Sequence, residues 1–193
     1  MQTMARRVLI ALVVFTMPGL ADGFHSIHSP NGVDIWAVGN GGTVFRSTDG
    51  GVTWGSLIQG SAALRAVRTV GSYLWIVGDN GSCYSSSDGG ASWTSQTIAG
   101  GATLRAIAFH DAETGWVAGS NGTILKTSNG GSSWNSQTSA TTQQLNSITF
   151  VDSQTGYVAG AAGTLLKTSN GGTTWTNSAQ AGWTKEILSV SAS

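Results

Sequence analysis

Short apolar pieces recur along this chain at a near-constant interval. Phe24-x-x-Ile27, Leu64-x-x-Val67, Leu104-x-x-Ile107 and Leu145-x-x-Ile148 share one spacing, and Ile187-x-x-Val190 begins it again. We term this piece strand a. Strand b is led by an aromatic residue, in Trp36-Ala-Val, Trp75-Ile-Val, Trp116-Val-Ala and Tyr157-Val-Ala. Strand c follows in Thr43-Val-Phe-Arg, Ser82-Cys-Tyr-Ser, Thr123-Ile-Leu-Lys and Thr164-Leu-Leu-Lys, and strand d begins at Trp54, Trp93, Trp134 and Trp175. Such short apolar pieces between glycine clusters read as strands, and the missing 3.6-residue period excludes a helical solenoid. Between b and c the chain runs through a Gly-x-x-Gly such as Gly78-Asp-Asn-Gly81, where two residues between glycines predict a tight hairpin.

The four tryptophans that open strand d are spaced 39, 41 and 41 residues apart. Four antiparallel strands in a period of about 40 residues make a propeller blade. The expected fold is therefore all-β, a β-propeller-like array of four four-stranded antiparallel blades plus the first strand of a fifth. The repeats cover residues 24–60, 61–100, 101–141 and 142–182, the extra strand covers 187–190, and the domain covers 22–193.

The turn from c to d carries the most regular chemistry. It reads Ser47-Thr-Asp49-Gly-Gly51-Val-Thr-Trp54 and Ser86-Ser-Asp88-Gly-Gly90-Ala-Ser-Trp93, then Thr127-Ser-Asn129-Gly-Gly131-Ser-Ser-Trp134 and Thr168-Ser-Asn170-Gly-Gly172-Thr-Thr-Trp175. A short carboxylate or amide accepts turn N–H groups, glycine permits positive φ, and the Trp ring packs beneath the turn. The pattern resembles the Asp-box, the bacterial neuraminidase repeat. Asn129 and Asn170 stand where Asp49 and Asp88 stand in the other copies. An amide cannot act as a general base or offer a cation a charged oxygen, so the box is read as structural.

The longer pattern Gly-Trp-Val-Ala-Gly-x-x-Gly-Thr-Ile-Leu-Lys-Thr-x-Asn-Gly-Gly-x-x-Trp, found at Gly115–Trp134 and nearly repeated at Gly156–Trp175, resembles the photosystem II stability and assembly factor family of propellers. The resemblance covers nearly all of 24–175. It implies an exported, non-enzymatic propeller that binds protein, whose photosynthetic members help to assemble a membrane complex in the lumen. The family usually closes seven blades, against four and the start of a fifth here. A homo-oligomer that completes a ring is therefore one expected arrangement.

Charge and composition narrow the function classes. Lys plus Arg number 9 and Asp plus Glu number 9, together 9% of 193 residues, so the surface is neutral and polar. No basic cluster is present to neutralise a run of phosphates, which argues against nucleic acid as a partner. Met1 to Arg7 carries two cations, Val8–Phe15 is apolar, and Gly19 and Ala21 supply small residues. This is the layout of a signal peptide over 1–21 with cleavage after Ala21, and it places the protein in the periplasm, outside the cell or in a thylakoid-lumen-like compartment. The sole cysteine, Cys83, aligns with Val44, Ile124 and Leu165 and is read as core filling rather than as a reactive thiol.

No catalytic constellation emerges. Asp111 and Asp152 fall at equivalent a-to-b turn positions, and His25, His28 and His110 lack metal-ligand spacing, so no catalytic residue, metal or cofactor is expected. The second residue of strand a is the candidate site: His25, Arg65, Arg105 and Asn146, then Leu188, with Arg68 nearby. In a propeller these positions would ring the central channel, and arginine presents a fork suited to carboxylates. The expected function is an exported protein-binding or complex-assembly scaffold. The alternative is a carbohydrate-active propeller, either a degenerate sialidase or glycosidase or a glycan-binding module.

Overall fold

The computed structural model describes residues 23–191, so the expected signal peptide lies outside the described residues. Four antiparallel sheets of four strands follow one another along the chain. Blade 1 contains β1 (Phe24–His28), β2 (Ile35–Gly39), β3 (Thr43–Ser47) and β4 (Gly55–Ile58), and blade 2 contains β5 (Leu64–Val70), β6 (Tyr73–Gly78), β7 (Ser82–Ser86) and β8 (Thr94–Thr97). Blade 3 contains β9 (Leu104–Phe109), β10 (Gly115–Gly119), β11 (Ile124–Thr127) and β12 (Asn135–Gln137). Blade 4 contains β13 (Leu145–Phe150), β14 (Gly156–Gly160), β15 (Leu165–Thr168) and β16 (Thr176–Asn177). Each blade is a simple meander, with its strands paired in chain order. The first strands β1, β5, β9 and β13 lie side by side and form the inner edge of the array.

Sheet-on-sheet packing holds the blades together. One face of blade 1 (Trp36, Val38, Val44) meets blade 2 (Leu64, Val67, Leu74, Ile76). The other face of blade 2 (Ala66, Val77, Cys83) meets blade 3 (Leu104, Val117, Leu125), and Trp116, Ala118 and Ile124 meet Leu145, Ile148, Val158 and Leu166 of blade 4. Cys83 is buried, and burial pushes its thiol up to about 12, well outside the range of a reactive thiolate. Leu64, Leu104 and Leu145 are fully buried, whereas their blade 1 counterpart Phe24 is 57% exposed. A preceding blade covers the first three, and among the described residues none covers the last, as expected of a repeat array whose units bury one another.

The interfaces differ in how they fill one position. Phe109 and Phe150 lay their rings on Trp75 and Trp116 of the preceding blade, with centroids 3.6 Å and 3.5 Å apart. Each Phe pairs across the sheet with a glycine, Gly115 or Gly156, where a Cβ would strike the Phe ring. In blade 2 the same pair is Thr69 and Leu74. The bulk has moved from strand a to strand b, and Leu74 is buried against Trp36 in place of a phenyl ring.

Two sequence expectations need correction. The b-to-c hairpin does not turn on the two residues between the glycines. Its central pair is Asn80-Gly81, both left-handed at φ 57° and 67°, with Ser82 N–H bonded to Asp79 C=O. Both central residues must therefore sit at positive φ, which Asn-Gly tolerates best. Blade 3 uses Asn121-Gly122 in the same way, and blade 4 places Ala162 at φ 52°, a left-handed alanine that carries steric strain. The first glycine of the motif allows a close approach instead, since at Gly119 a Cβ would run into the Thr103 carbonyl and the Leu104 backbone.

The second correction concerns residues 187–190, which are not a strand. They lie where the inner strand of a fifth blade would lie. Val190 N–H donates to Ser147 Oγ at 3.1 Å, as Val67 N–H donates to Ser26 Oγ between blades 1 and 2. Every other inner strand takes its ladder from the second strand of its own blade. Among the described residues no such partner exists for 187–190, so the side-by-side position forms without the ladder that makes a strand.

Candidate functional site

The second residue of each inner strand is the extra residue of a β-bulge. In blade 2 Leu64 pairs with Gly78 and Ala66 with Val77, which leaves Arg65 without a cross-strand partner. The same slip isolates His25, Arg105 and Asn146. A bulge re-aims the side chain it carries, so four equivalent side chains leave the ladder at one end of the inner edge.

Their surroundings then diverge. His25 Nε2 lies 2.8 Å from Asn40 Oδ1. Arg65 grips Asp79 with both arms, Nε on Oδ1 and Nη2 on Oδ2 at 2.7 Å. Asn40 and Asp79 are the first turn residues after β2 and β6, so these are pairs within one blade. In blades 3 and 4 the same turn position holds Ser120 and Ala161. Asn146 instead donates to Glu186 Oε1 at 2.9 Å and to the Ile187 carbonyl at 3.1 Å. Arg105 makes no hydrogen bond or ion pair among the described residues, and its Nε is buried without a partner. The Arg65 clamp, aided by the Thr103 hydroxyl and the nearby Arg105 charge, holds the Asp79 carboxyl below the usual carboxylate range.

Arg68 stands apart from this group. It lies three residues further along β5, about 10 Å at strand rise, and faces His28. Burial, with the Arg68 charge second, lowers the His28 imidazole below its ordinary value. The arrangement does not support an arc that includes Arg68.

At the opposite end of the sheets the Asp-boxes are closed hydrogen-bond circuits. Ser47 Oγ donates to Asp49 Oδ1 at 2.7 Å and accepts from Gly51 N–H at 2.8 Å, while Thr53 N–H reaches Asp49 at 2.9 Å. Ser86, Asp88, Gly90 and Ser92 repeat this circuit. Thr127, Asn129, Gly131 and Ser133 form it with an amide, as do Thr168, Asn170, Gly172 and Thr174. Trp54 and Trp93 donate to their own turns, at Gly51 and Gly90. In blades 3 and 4 the turn carbonyls of Gly130 and Gly171 instead accept from Trp75 and Trp116 of the preceding blade. These boxes therefore also tie blade to blade. Asp111 and Asp152 each accept two turn N–H groups of their own a-to-b loops. Among the described residues no three His, Cys, Asp or Glu side chains are placed to hold a metal.

The two kinds of box predict different responses to acid. Hydrogen bonds from Thr53, then Ser47, hold Asp49 at about 2, and those from Ser92 and Ser86 lower Asp88 further. A depressed carboxylate stabilises the folded state above its unfolded pKa and loses that contribution as pH falls toward the folded one. Amide exchange at Thr53 and Ser92 should therefore accelerate, relative to the intrinsic rate, as pH drops from about 4 to about 2. Ser133 and Thr174, bonded to neutral amides, should keep their protection, and a uniform response in all four boxes would contradict this account.

Comparison with known proteins shows the fold and a family that the chain resembles. Residues 98–181, which comprise blades 3 and 4, match the family model of the photosynthesis system II assembly factor YCF48. Among solved structures the chain is similar to YCF48 from Cyanidioschyzon merolae, at 20% identity and a TM-score of 0.67, over 83% of this chain and 57% of that one. It thus spans little more than half the length of that relative. It is also similar to a YCF48 bound to D1 peptide, at 16% identity and a TM-score of 0.55, over 81% and 80% of the two chains. A GH74 enzyme from Niastella koreensis matches at 22% identity and a TM-score of 0.66, over 84% of this chain and 31% of that one. No curated protein matches. The chain is an Asp-box repeat array of propeller blades, and it resembles the photosystem II assembly factor family.

Proposed function

We propose that this chain is an exported, non-enzymatic scaffold that binds a carboxylate-bearing segment of a protein partner at the bulged end of its inner strands. The observation that carries this reading is the contrast between Arg65 and Arg105. Arg65 is saturated by Asp79, whereas the turn position opposite Arg105 is Ser120, and the Arg105 guanidinium is left with a buried, unpaired Nε. Asp79 on Arg65 is an internal template for what a partner carboxylate would do at Arg105, where a two-armed charge-assisted pair is available. The similarity to a YCF48 bound to D1 peptide supports a peptide as the ligand. The Asp-box carboxylates support a non-enzymatic reading, because their oxygens are committed to the turns.

The test is calorimetric titration with a short peptide that ends in a free carboxylate, and with its amidated counterpart. Arg105→Ala should weaken the carboxylate peptide about 10- to 100-fold, the range of a lost charged hydrogen bond, and the amidated peptide should bind poorly to both proteins. Unchanged affinity in a protein carrying both Arg65→Ala and Arg105→Ala would remove the proposal. Export is read from the N-terminal 21 residues, and N-terminal sequencing of the secreted or periplasmic fraction should begin at Asp22.

A further inference from the structure

Every interface in the array joins the forward face of one blade to the backward face of the next. The forward face of blade 1 is Trp36, Val38 and Val44, and the backward face of blade 2 is Leu64, Val67, Leu74 and Ile76. Among the described residues, two such faces have no blade to meet. One is the backward face of blade 1, where Phe24 and Ile27 are 57% and 51% exposed. Their counterparts Leu64 with Val67 and Leu145 with Ile148 are buried. Ile27, Ala37 and Phe45 are cross-strand neighbours, and Phe24 stands edge-on to Phe45 at 5.4 Å, so the exposed pair tops an apolar sheet face.

The other is the forward face of blade 4. Tyr157, Ala159 and Leu165 hold the register positions of Trp36, Val38 and Val44. Trp36, Trp75 and Trp116 are buried beneath the blade that follows, whereas Tyr157 and Leu165 are only half-buried. Residues 187–190 fill just the inner-strand place on this face, with Ile187 N–H on Gly160 C=O at 2.9 Å and Val190 N–H on Ser147 Oγ at 3.1 Å. Among the described residues no ladder holds this segment there, and its Leu188 side chain is exposed.

We propose that the backward face of blade 1 docks on the forward face of blade 4 in a second copy of this chain, with Phe24 and Ile27 taking the places of Ile187 and Val190. A second copy fits because the seat on blade 4 is built like the one on blade 3. Residues 156–175 nearly repeat residues 115–134, and blade 3 already receives Leu145 and Ile148. The incoming β1 carries its own ladder to β2, so a preordered strand replaces an unladdered segment, and preorganisation lowers the cost of docking. Two four-bladed copies joined at both faces supply eight blades, within the range of about 4 to 8 that propellers close. The closed two-fold pair leaves neither face bare.

The experiment is the light-scattering mass of the purified chain at micromolar to millimolar concentrations, where a reversible two-copy mass is expected. Phe24→Asp should weaken the pair at least about 30-fold, as loss of an aromatic anchor does, and Tyr157→Asp should act alike. Phe24 is exposed, so its variant should keep the wild-type melting curve. Mixing the two variants should restore a pair, because one intact contact remains between them. Docking of β1 on β1 would instead leave Tyr157→Asp paired by itself. Ile187→Asp combined with Val190→Asp frees the seat on blade 4 and should tighten the pair about 10-fold, since less of the chain is then held in the closed state. A single-copy mass in both the wild type and this double variant, an assembly larger than two copies, or pairing that survives Phe24→Asp or Tyr157→Asp would overturn the proposal.

Discussion

Trp116→Ala is expected to lower the unfolding free energy by about 4 kcal/mol, near the upper end for aromatic truncations in cores. Trp116 is fully buried between blades 3 and 4. Phe150 stacks on its ring at 3.5 Å, Lys126 lies 5.3 Å over the ring, and its Nε1–H donates to Gly171 C=O at 3.0 Å. Removing the indole opens a cavity, orphans a turn carbonyl and strips Phe150 of its stacking partner in one step. Trp116→Phe keeps most of the packing and should cost less, leaving mainly the penalty of about 1–3 kcal/mol for an unpaired buried carbonyl. Trp183→Ala, at a half-exposed residue outside the blades, serves as the control and should lie within about 0.5 kcal/mol of wild type. Equilibrium denaturation measures all three. Because each blade depends on its neighbour, Trp116→Ala should also release blade 4 amides before those of blade 2, as seen by hydrogen exchange. A loss below about 1 kcal/mol would show that the stack is not what joins these blades.

The second large effect should appear as a coupling between two residues. Leu74→Gly removes a buried side chain from the blade 1–2 core and should cost about 3–5 kcal/mol. Thr69→Phe alone forces a ring into space that Leu74 holds and should cost about 1–3 kcal/mol. Together they recreate the pairing of Phe109 with Gly115 and of Phe150 with Gly156, in which the ring lies over a glycine. The double variant should therefore be more stable than the sum of the single losses by about 2–3 kcal/mol, the upper range for residues in contact. Strict additivity would mean that the two positions do not exchange volume.

Much of the architecture is legible in the chain. The recurrence of strand a, the aromatic lead of strand b and the tryptophan that opens strand d locate four blades to within a residue or two, because each blade buries the same faces against the same kind of neighbour. The hairpin between b and c lies one residue later than the glycine spacing suggests. Two flanking glycines look alike in sequence, but Gly78 is extended and Gly81 is left-handed, so they serve opposite purposes. Residues 187–190 match the inner-strand pattern and reach the inner-strand position, yet a strand needs a ladder partner as well as a pattern.

The candidate site is only half legible. Aligning the repeats groups His25, Arg65, Arg105 and Asn146 as equivalents, and the structure does place all four at bulges. Their different states depend on the turn residue that each blade presents, Asn40, Asp79, Ser120 or Ala161, some fifteen positions away in sequence. Reading those residues beside the arginines would have paired Arg65 with Asp79. Only the fold showed that Arg105 receives no such partner and that Arg68 belongs with His28.

The sequence by itself thus determined the period, the strands and the turn chemistry, since these depend on local propensity and on a face that repeats. Tertiary structure decided which polar groups are paired and which are left over, because pairing depends on distances between segments that no periodicity records. It alone also showed that Thr69 with Leu74 is a cross-strand exchange of volume.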